Sequence, residues 1–379
     1  MTSKERLIAA MKRQATDYVP CLPAFWSTPQ VEGYQWANEV ERLEVIIGKL
    51  GADAITHFGV DVRIHPDVSW RVWEEQRPGE PYPLLVKEVE TPRGTLRAVV
   101  RKTEDWPHGQ DIPFVSDFNV SRYVKPWLES LEDVERFAYC HLPPGDQQVG
   151  KARQRWRHLA PIVERFQVPV LATYTLGLTA ALSLFGVEGG ALLSMDEPET
   201  FDRFSEIVHQ TAVGCLEILL DLGVDVVRRN GWYESTDFWS PKQYARYIRP
   251  HVEKEIAMAH DAGCIFNYTM CTGIMPLIPI LAEMDFDYLD TIEPVLGGQD
   301  MHRIASELGR TKCLGGGVSA PIHIGEGKPD DVRVAVRKAI EVFGREGFIL
   351  TAVPSIRPQW QWENVMAMID EWKALRAEG

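Results

Sequence analysis

The chain has 379 residues, of which 45% are apolar and 25% charged, the composition of an ordinary globular protein. Its formal charge of −14, from 54 acidic against 40 basic residues, argues against a general nucleic-acid or anionic-membrane surface. No apolar run approaches the roughly 18–20 residues of a membrane span, and Met1 to Leu7 lacks an apolar signal core. The expectation is a cytoplasmic protein with its six scattered cysteines reduced.

Ser3 to Lys12 has apolar residues at helical spacing and breaks at Thr16-Asp17-Tyr18. Val19 to Phe25 reads as a first strand despite Pro20 and Pro23. Asn38 is placed to cap a helix running to Leu50, with Leu43, Ile46, Ile47 and Leu50 as its stripe and Gly51 past its end. Ala54 to Phe58 is a second strand. The rhythm then changes: Leu84–Glu90 and Thr95–Lys102 flank the turn Thr91-Pro92-Arg93-Gly94, which predicts an antiparallel hairpin. A hairpin has no place inside a parallel sheet, so residues 66–120 are expected to be an insertion over one end of the fold. Helices are predicted at 130–139 and 147–166. Alternation resumes with a strand at Val168–Tyr174, helices to Leu222, and a strand at Val224–Arg229. A helix over 241–262 follows, entered by Ser240-Pro241, a cap followed by proline at the first helical position.

From Ala262 to Trp372 one unit recurs four times: a short apolar run ending in polar residues or glycine, then an amphipathic segment. The runs lie at Cys264–Asn267, Phe286–Asp290, Lys312–Gly316 and Gly347–Thr351. Their predicted helices lie at 272–284, 299–309, 329–344 and 361–376. Strict alternation means parallel pairing, because parallel neighbours need a crossover and a helix supplies it. Strands near 19, 54, 168, 224, 264, 286, 312 and 347 make eight, which predicts one TIM-type (β/α)8 barrel domain with its chemistry at the C-terminal strand ends. The alternative, an open doubly wound sheet, would carry an early glycine-rich phosphate turn; Gly315-Gly316-Gly317 comes late and lacks the G-x-G-x-x-G spacing.

Several stretches, in order, are similar to the uroporphyrinogen decarboxylase superfamily, which also holds zinc-dependent methyltransferases of corrinoid pathways. They are Lys4-Glu5-Arg6-Leu7, Asp17-Tyr18-Val19-Pro20, Ser240–Tyr244, Gly297-Gly298-Gln299-Asp300, Gly315-Gly316-Gly317, Pro329–Val332, Gly347–Leu350 and Glu363-Asn364. The resemblance implies a TIM barrel, commonly dimeric, with its site at the C-terminal mouth. It leaves the branch open. The decarboxylases carry an arginine-rich motif after the first strand, where this chain reads Ala24-Phe25-Trp26-Ser27-Thr28. The methyltransferases carry His-x-Cys after the fifth strand and Cys after the eighth, where this chain has Thr269-Met270-Cys271 and Val353-Pro354-Ser355. One of three soft or borderline ligands remains, so zinc is not expected.

The resemblance marks Asp61, beyond the second strand, as the place of a catalytic aspartate that stabilises a developing cation, against the plainer reading of a turn aspartate. It marks Tyr174 as a substrate contact, or a tyrosine packing the rim. His57, at a strand end, is a candidate acid, base or ligand, or a satisfied core histidine. Alternation sends one of Arg228 and Arg229 inward, where it needs a carboxylate of the substrate or the protein. Asn230 follows them. Asn267 and Cys271 follow the fifth strand, Cys271 as thiol nucleophile or small buried residue. Asp290 and Glu293 follow the sixth, as paired carboxylates in the mouth or as hydrogen-bond acceptors of a neighbouring loop. Arg357 follows the eighth. Of the 12 tryptophans, Trp26, Trp232, Trp239 and Trp360 fall on loops after strands and are expected either to form a flat aromatic pocket or to seal a dimer interface.

The expected function is transfer of a methyl group to or from a small methylated substrate. A corrinoid held by a partner protein is the expected methyl donor or acceptor, and no cofactor is expected to be tightly bound. The alternatives are decarboxylation of a tetrapyrrole or smaller acid, with Asp61 and Tyr174 as electrostatic groups, and a non-catalytic binding barrel. A homodimer is expected, with no nucleic-acid or membrane partner.

Overall fold

The computed structural model describes residues 1–377. Strands β1 (Cys21–Leu22) and β2 (Thr56–Gly59) precede an insertion made of β3 (Ser69–Glu75), β4 (Leu84–Thr91), β5 (Gly94–Arg101) and β6 (Tyr123–Lys125). The chain then returns through β7 (Val170–Thr175), β8 (Val226–Arg229), β9 (Ile265–Thr269), β10 (Tyr288–Ile292), β11 (Cys313–Ser319) and β12 (Phe348–Val353). Eight of these strands form one parallel sheet in the order β1-β12-β11-β10-β9-β8-β7-β2, curled into a TIM-type barrel. All eight strands expected from the sequence are present.

The barrel has a seam. β1 and β2 stand at the two ends of the strand order and share no ladder. β1 is two residues long, close to Pro20 and Pro23, neither of which has an N–H to give a ladder. Asp53 bridges the gap instead: its N–H donates to the Cys21 carbonyl at 2.9 Å, and its Oδ2 accepts from the Cys21 N–H at 3.2 Å. Arg6 holds that carboxylate from below at 2.5 Å. Arg6 belongs to the helix Ser3–Met11, whose capping box pairs Thr2 with Glu5.

That helix closes the bottom of the barrel. Leu7, Ala10 and Met11 pack beneath Ile55, Leu171, Val226, Ile265, Tyr288, Cys313 and Ile349, one residue from each of seven strands or their entries. Full burial of Leu7 or Met11 contributes about 1.5–3 kcal/mol each. Side chains on a strand repeat their direction every second residue. Two positions beyond this floor stand His57, Thr173, Arg228, Asn267, Asp290, Gly315 and Thr351. The barrel interior thus changes from an apolar floor to a polar layer in one step.

The expected hairpin is β4 and β5, joined at Thr91–Gly94, and it is widened by β3 and β6 into a four-stranded antiparallel sheet. Leu85, Val89, Leu96, Ala98 and Val100 share a core with Phe137, Phe185 and Phe204 of the helices around β7. The single helix expected over 241–262 has a wider turn at Tyr244–Ile248 before Arg249–Asp261. Pro250 explains it, since a proline there has no N–H for the preceding turn.

Candidate active site

A cavity of about 270 Å³ lies above the apolar floor and extends to the β1/β2 seam. Phe25, Trp26, Trp36 and Trp232 form its aromatic wall; His57, Arg228, Asp290 and Thr351 bring polar groups to it.

Alternation along β8 separates its two arginines. Arg229 points outward, is 3% exposed, and is paired with Glu234 at 2.6 Å and Glu255 at 2.7 Å. Arg228 points into the cavity. Its Nε donates to Thr173 Oγ1 at 3.0 Å, and among the described residues it forms no ion pair. Burial pulls its pKa down, opposed by the nearby Asp290 and Tyr288.

Asp290 enters the same cavity from β10. Burial raises its carboxyl pKa, with the charge of Arg228 opposing. Asn267, Thr269 and Thr291 surround the carboxyl, yet its Oδ1 has no partner of good geometry. Asn230 Oδ1, Asn267 Oδ1 and Thr269 Oγ1 are also buried without partners, although none of these three residues lines the cavity. β10 is irregular here: its pairing with β11 shifts between Leu289 and Ile292, and Thr291 has φ of 69°. That left-handed conformation is strained for a β-branched residue, and it lets both Asp290 and Thr291 line the cavity. Tyr288 lies one inward step below, its phenol against Gly315, where a Cβ would come within 2.2 Å of the hydroxyl.

The His57 ring also faces the cavity, wetted through its open mouth. Partial desolvation against the barrel wall, then the charges of Arg228 and Arg42, lower its pKa, which favours the neutral ring at pH 7. Arg42 is held by Glu39, and its Nη2 donates to the Ile55 carbonyl at 2.7 Å.

Other expected positions lie elsewhere. Tyr174 is not in the cavity: the alternation that turns Leu171 and Thr173 inward turns it outward, where its hydroxyl donates to Glu255 at 2.7 Å. Asp61 is on the surface, 60% exposed and 3.8 Å from Arg155. Asp290 and Glu293 do not form a pair in the mouth. Glu293 accepts from the N–H groups of Val295 at 2.8 Å and Leu296 at 3.2 Å, the loop-acceptor role. The Cys271 thiol is pushed up to about 12 by burial, with the charges of Glu293, Asp237 and Asp290 adding to it, which disfavours the thiolate a nucleophile needs. The four loop tryptophans do not converge: Trp26 and Trp232 line the cavity, Trp239 is buried against Phe201, and Trp360 packs on Gly325. Arg357 stacks over Trp26 at 4.2 Å. Trp36, Arg42, Tyr288 and Thr351 were not anticipated. Tyr288 and Thr351 share the inward phase of Asp290 and Ile349, a signal present in the sequence; Arg42 lies outside the apolar stripe of its helix.

The residues do not fit a three-ligand zinc site. Thr269, Cys271 and Ser355 stand where such ligands would be, and among the described residues no group of three or more His, Cys, Asp or Glu side chains is arranged to hold a metal ion.

The uroporphyrinogen decarboxylase (URO-D) family model matches residues 104–375. The methylcobamide:CoM methyltransferase MtaA of Methanosarcina barkeri (strain Fusaro / DSM 804) is 22% identical over 212 residues, 55% of this chain and 59% of that protein. A second Methanosarcina barkeri MtaA is 21% identical over the same shares. The chain therefore matches less than two thirds of the length of these relatives. Among solved structures, a methyltransferase from Methanosarcina mazei superposes with a TM-score of 0.59 at 16% identity, over 99% of each chain. That likeness supports the barrel fold, and the family model, spanning well over half of the sequence, shows that the chain belongs to the uroporphyrinogen decarboxylase family.

Proposed function

We propose that this protein is a methyl-transfer enzyme acting on a small methylated substrate, with a protein-held corrinoid as the other party to the exchange. The observation that carries this reading is the cavity: about 270 Å³, one unpaired arginine, and a wall of aromatic rings. Ligand sites of drug-sized molecules run from about 300 Å³ upward, so this one suits a smaller molecule. A tetrapyrrole bearing eight carboxylates would need more room and more cations. The MtaA relatives, whose name specifies a methylcobamide, supply the reaction class.

In this reading Arg228 anchors and orients an anionic group of the substrate. Trp26 and Trp232 shield the methyl group from water. The corrinoid, when present on its carrier, supplies the nucleophile that takes the methyl. Demethylation leaves the electron pair of the broken bond on the atom that carried the methyl. If that atom is oxygen, it needs a proton, which Asp290 with its raised pKa is placed to give. If it is a cationic nitrogen, no proton is needed and Asp290 balances the starting charge.

The test is to mix the purified protein with reduced free corrinoid and a panel of small methylated acids, following corrinoid methylation by its absorption spectrum. Methylation that disappears in Arg228→Gln supports the reading. Porphyrinogen turnover, or decarboxylation of a small acid without methylation, overturns it. Stoichiometric zinc by metal analysis would overturn the metal-free form of the site.

A further inference from the structure

Arg228 and Asp290 are opposite charges in one cavity that do not form an ion pair. The register explains their separation. Arg228 lies opposite Asn267, while Asp290 lies opposite Thr269 on the far side of β9. With strands about 4.8 Å apart, their backbones are about 10 Å apart. Among the described residues the guanidinium donates only through Nε, and the Asp290 side chain accepts no hydrogen bond of good geometry, its Oδ1 lying sealed from the cavity. Enclosing two charges without joining them costs stability on both sides. Between them stands Asn267, its Oδ1 also without a partner. Around the cavity stand Phe25, Trp26, Trp36 and Trp232, and aromatic faces attract cations, methylated ammonium groups above all.

We infer that the cavity is a two-headed seat for a small zwitterion, an N-methylated amino acid whose carboxylate meets Arg228 and whose ammonium lies between Asp290 and the aromatic wall. This deepens the methyl-transfer reading and rests on it for the fate of the methyl group, although the binding step does not. A single anion would satisfy Arg228 and leave Asp290 without a counter-charge; a single cation would do the reverse. A molecule with both charges a few bonds apart satisfies each group and neutralises the cavity. For a quaternary substrate the C–N bond breaks with both electrons remaining on nitrogen. The methyl is taken by the reduced corrinoid nucleophile, and the product is the tertiary amino acid, with no proton required. His57, held neutral, adds no competing charge.

The experiment is titration calorimetry on the full chain with glycine betaine, with acetate as the carboxylate alone, and with tetramethylammonium as the cation alone. Betaine is expected to bind at least about tenfold more tightly than either half-ligand. Arg228→Gln should erase the advantage over tetramethylammonium, Asp290→Asn should erase the advantage over acetate, and Arg228→Lys should retain part of it. Equal affinity for betaine and acetate, or no effect of Asp290→Asn, overturns the proposal, as does no binding of any of the three. The wild-type comparison of ligands stands even if a variant does not fold. Betaine binding without methyl transfer overturns the methyl-transfer reading and leaves the seat intact. Transfer from a neutral methyl ether without betaine binding does the opposite.

Discussion

Arg228 and Arg229 are neighbours on β8, and their guanidinium groups lie on opposite faces of the barrel wall: one in the cavity on a single threonine, the other locked between Glu234 and Glu255. The same residue type therefore serves binding at one position and stability at the next. Arg229→Met leaves two buried carboxylates without a cation and should cost about 3–5 kcal/mol in urea unfolding. Arg228→Met removes a poorly paired, half-buried charge and should change stability by less than about 1 kcal/mol, while ligand affinity is lost. Equal destabilisation by both would contradict the assignment.

Tyr174 hydrogen-bonds Glu255, and Glu255 also meets His209 at 3.0 Å. Tyr174→Phe should cost about 1.5–3 kcal/mol, the range for a hydrogen bond to a charged group, and leave turnover per folded molecule unchanged. A fall in turnover at unchanged stability would return Tyr174 to the reacting groups.

Gly315 is in contact with the phenol of Tyr288: a Cβ added to it would lie 2.2 Å from the hydroxyl and 2.8 Å from the ring carbon that bears it. Gly315→Ala should push the ring toward the cavity, costing about 1–3 kcal/mol and weakening substrate binding together. Thermal unfolding and calorimetry on one sample check both, and a stability loss with unchanged affinity would show that the ring yields in another direction.

Acid should weaken the fold in a defined window. Burial, then His209 and Arg229, lower His251 to about 4, and burial lowers His141 to about 4. The unfolded chain titrates these histidines near 6.5, so between about 6.5 and 4 it binds protons that the native state refuses. Stability should therefore fall as pH drops through that window and show no contribution from these groups above it. His251→Gln should flatten the slope of unfolding free energy against pH; an unchanged slope would remove His251 from the account.

The barrel was readable in the sequence because its strands are short apolar runs at regular intervals, each followed by an amphipathic stretch. The opposed directions of Arg228 and Arg229 followed from the two-residue period. That rule also turns Tyr174 outward, but the family resemblance pulled its reading toward the mouth. The loop residues were harder. Trp239 and Trp360 lie in loops similar to those carrying Trp26 and Trp232, and which tryptophan reaches a cavity depends on long-range packing against Phe201 or Gly325, not on spacing. Asp290 and Glu293 look alike as a pair, but Glu293 lies beyond the end of β10, where its carboxylate turns to the N–H groups of Val295 and Leu296.

The seam between β1 and β2 divides the cavity by origin. Arg228, Trp232, Tyr288, Asp290 and Thr351 come from the stretch matched by the family model, whereas Phe25, Trp26, Trp36, Arg42 and His57 precede it. The matched stretch thus supplies the charged pair and Trp232, and the leading hundred residues supply the other rings and the opening. Apart from the isolated bridge between Phe25 and Ile356, residues 23–36 take part in no strand pairing among the described residues, so they can be exchanged at the cost of that one bridge. On the proposed methyl-transfer reading, the contacts to the methylated end of a substrate are then an adjustable module mounted on a fixed one, and grafting that segment from a relative is the direct way to test it.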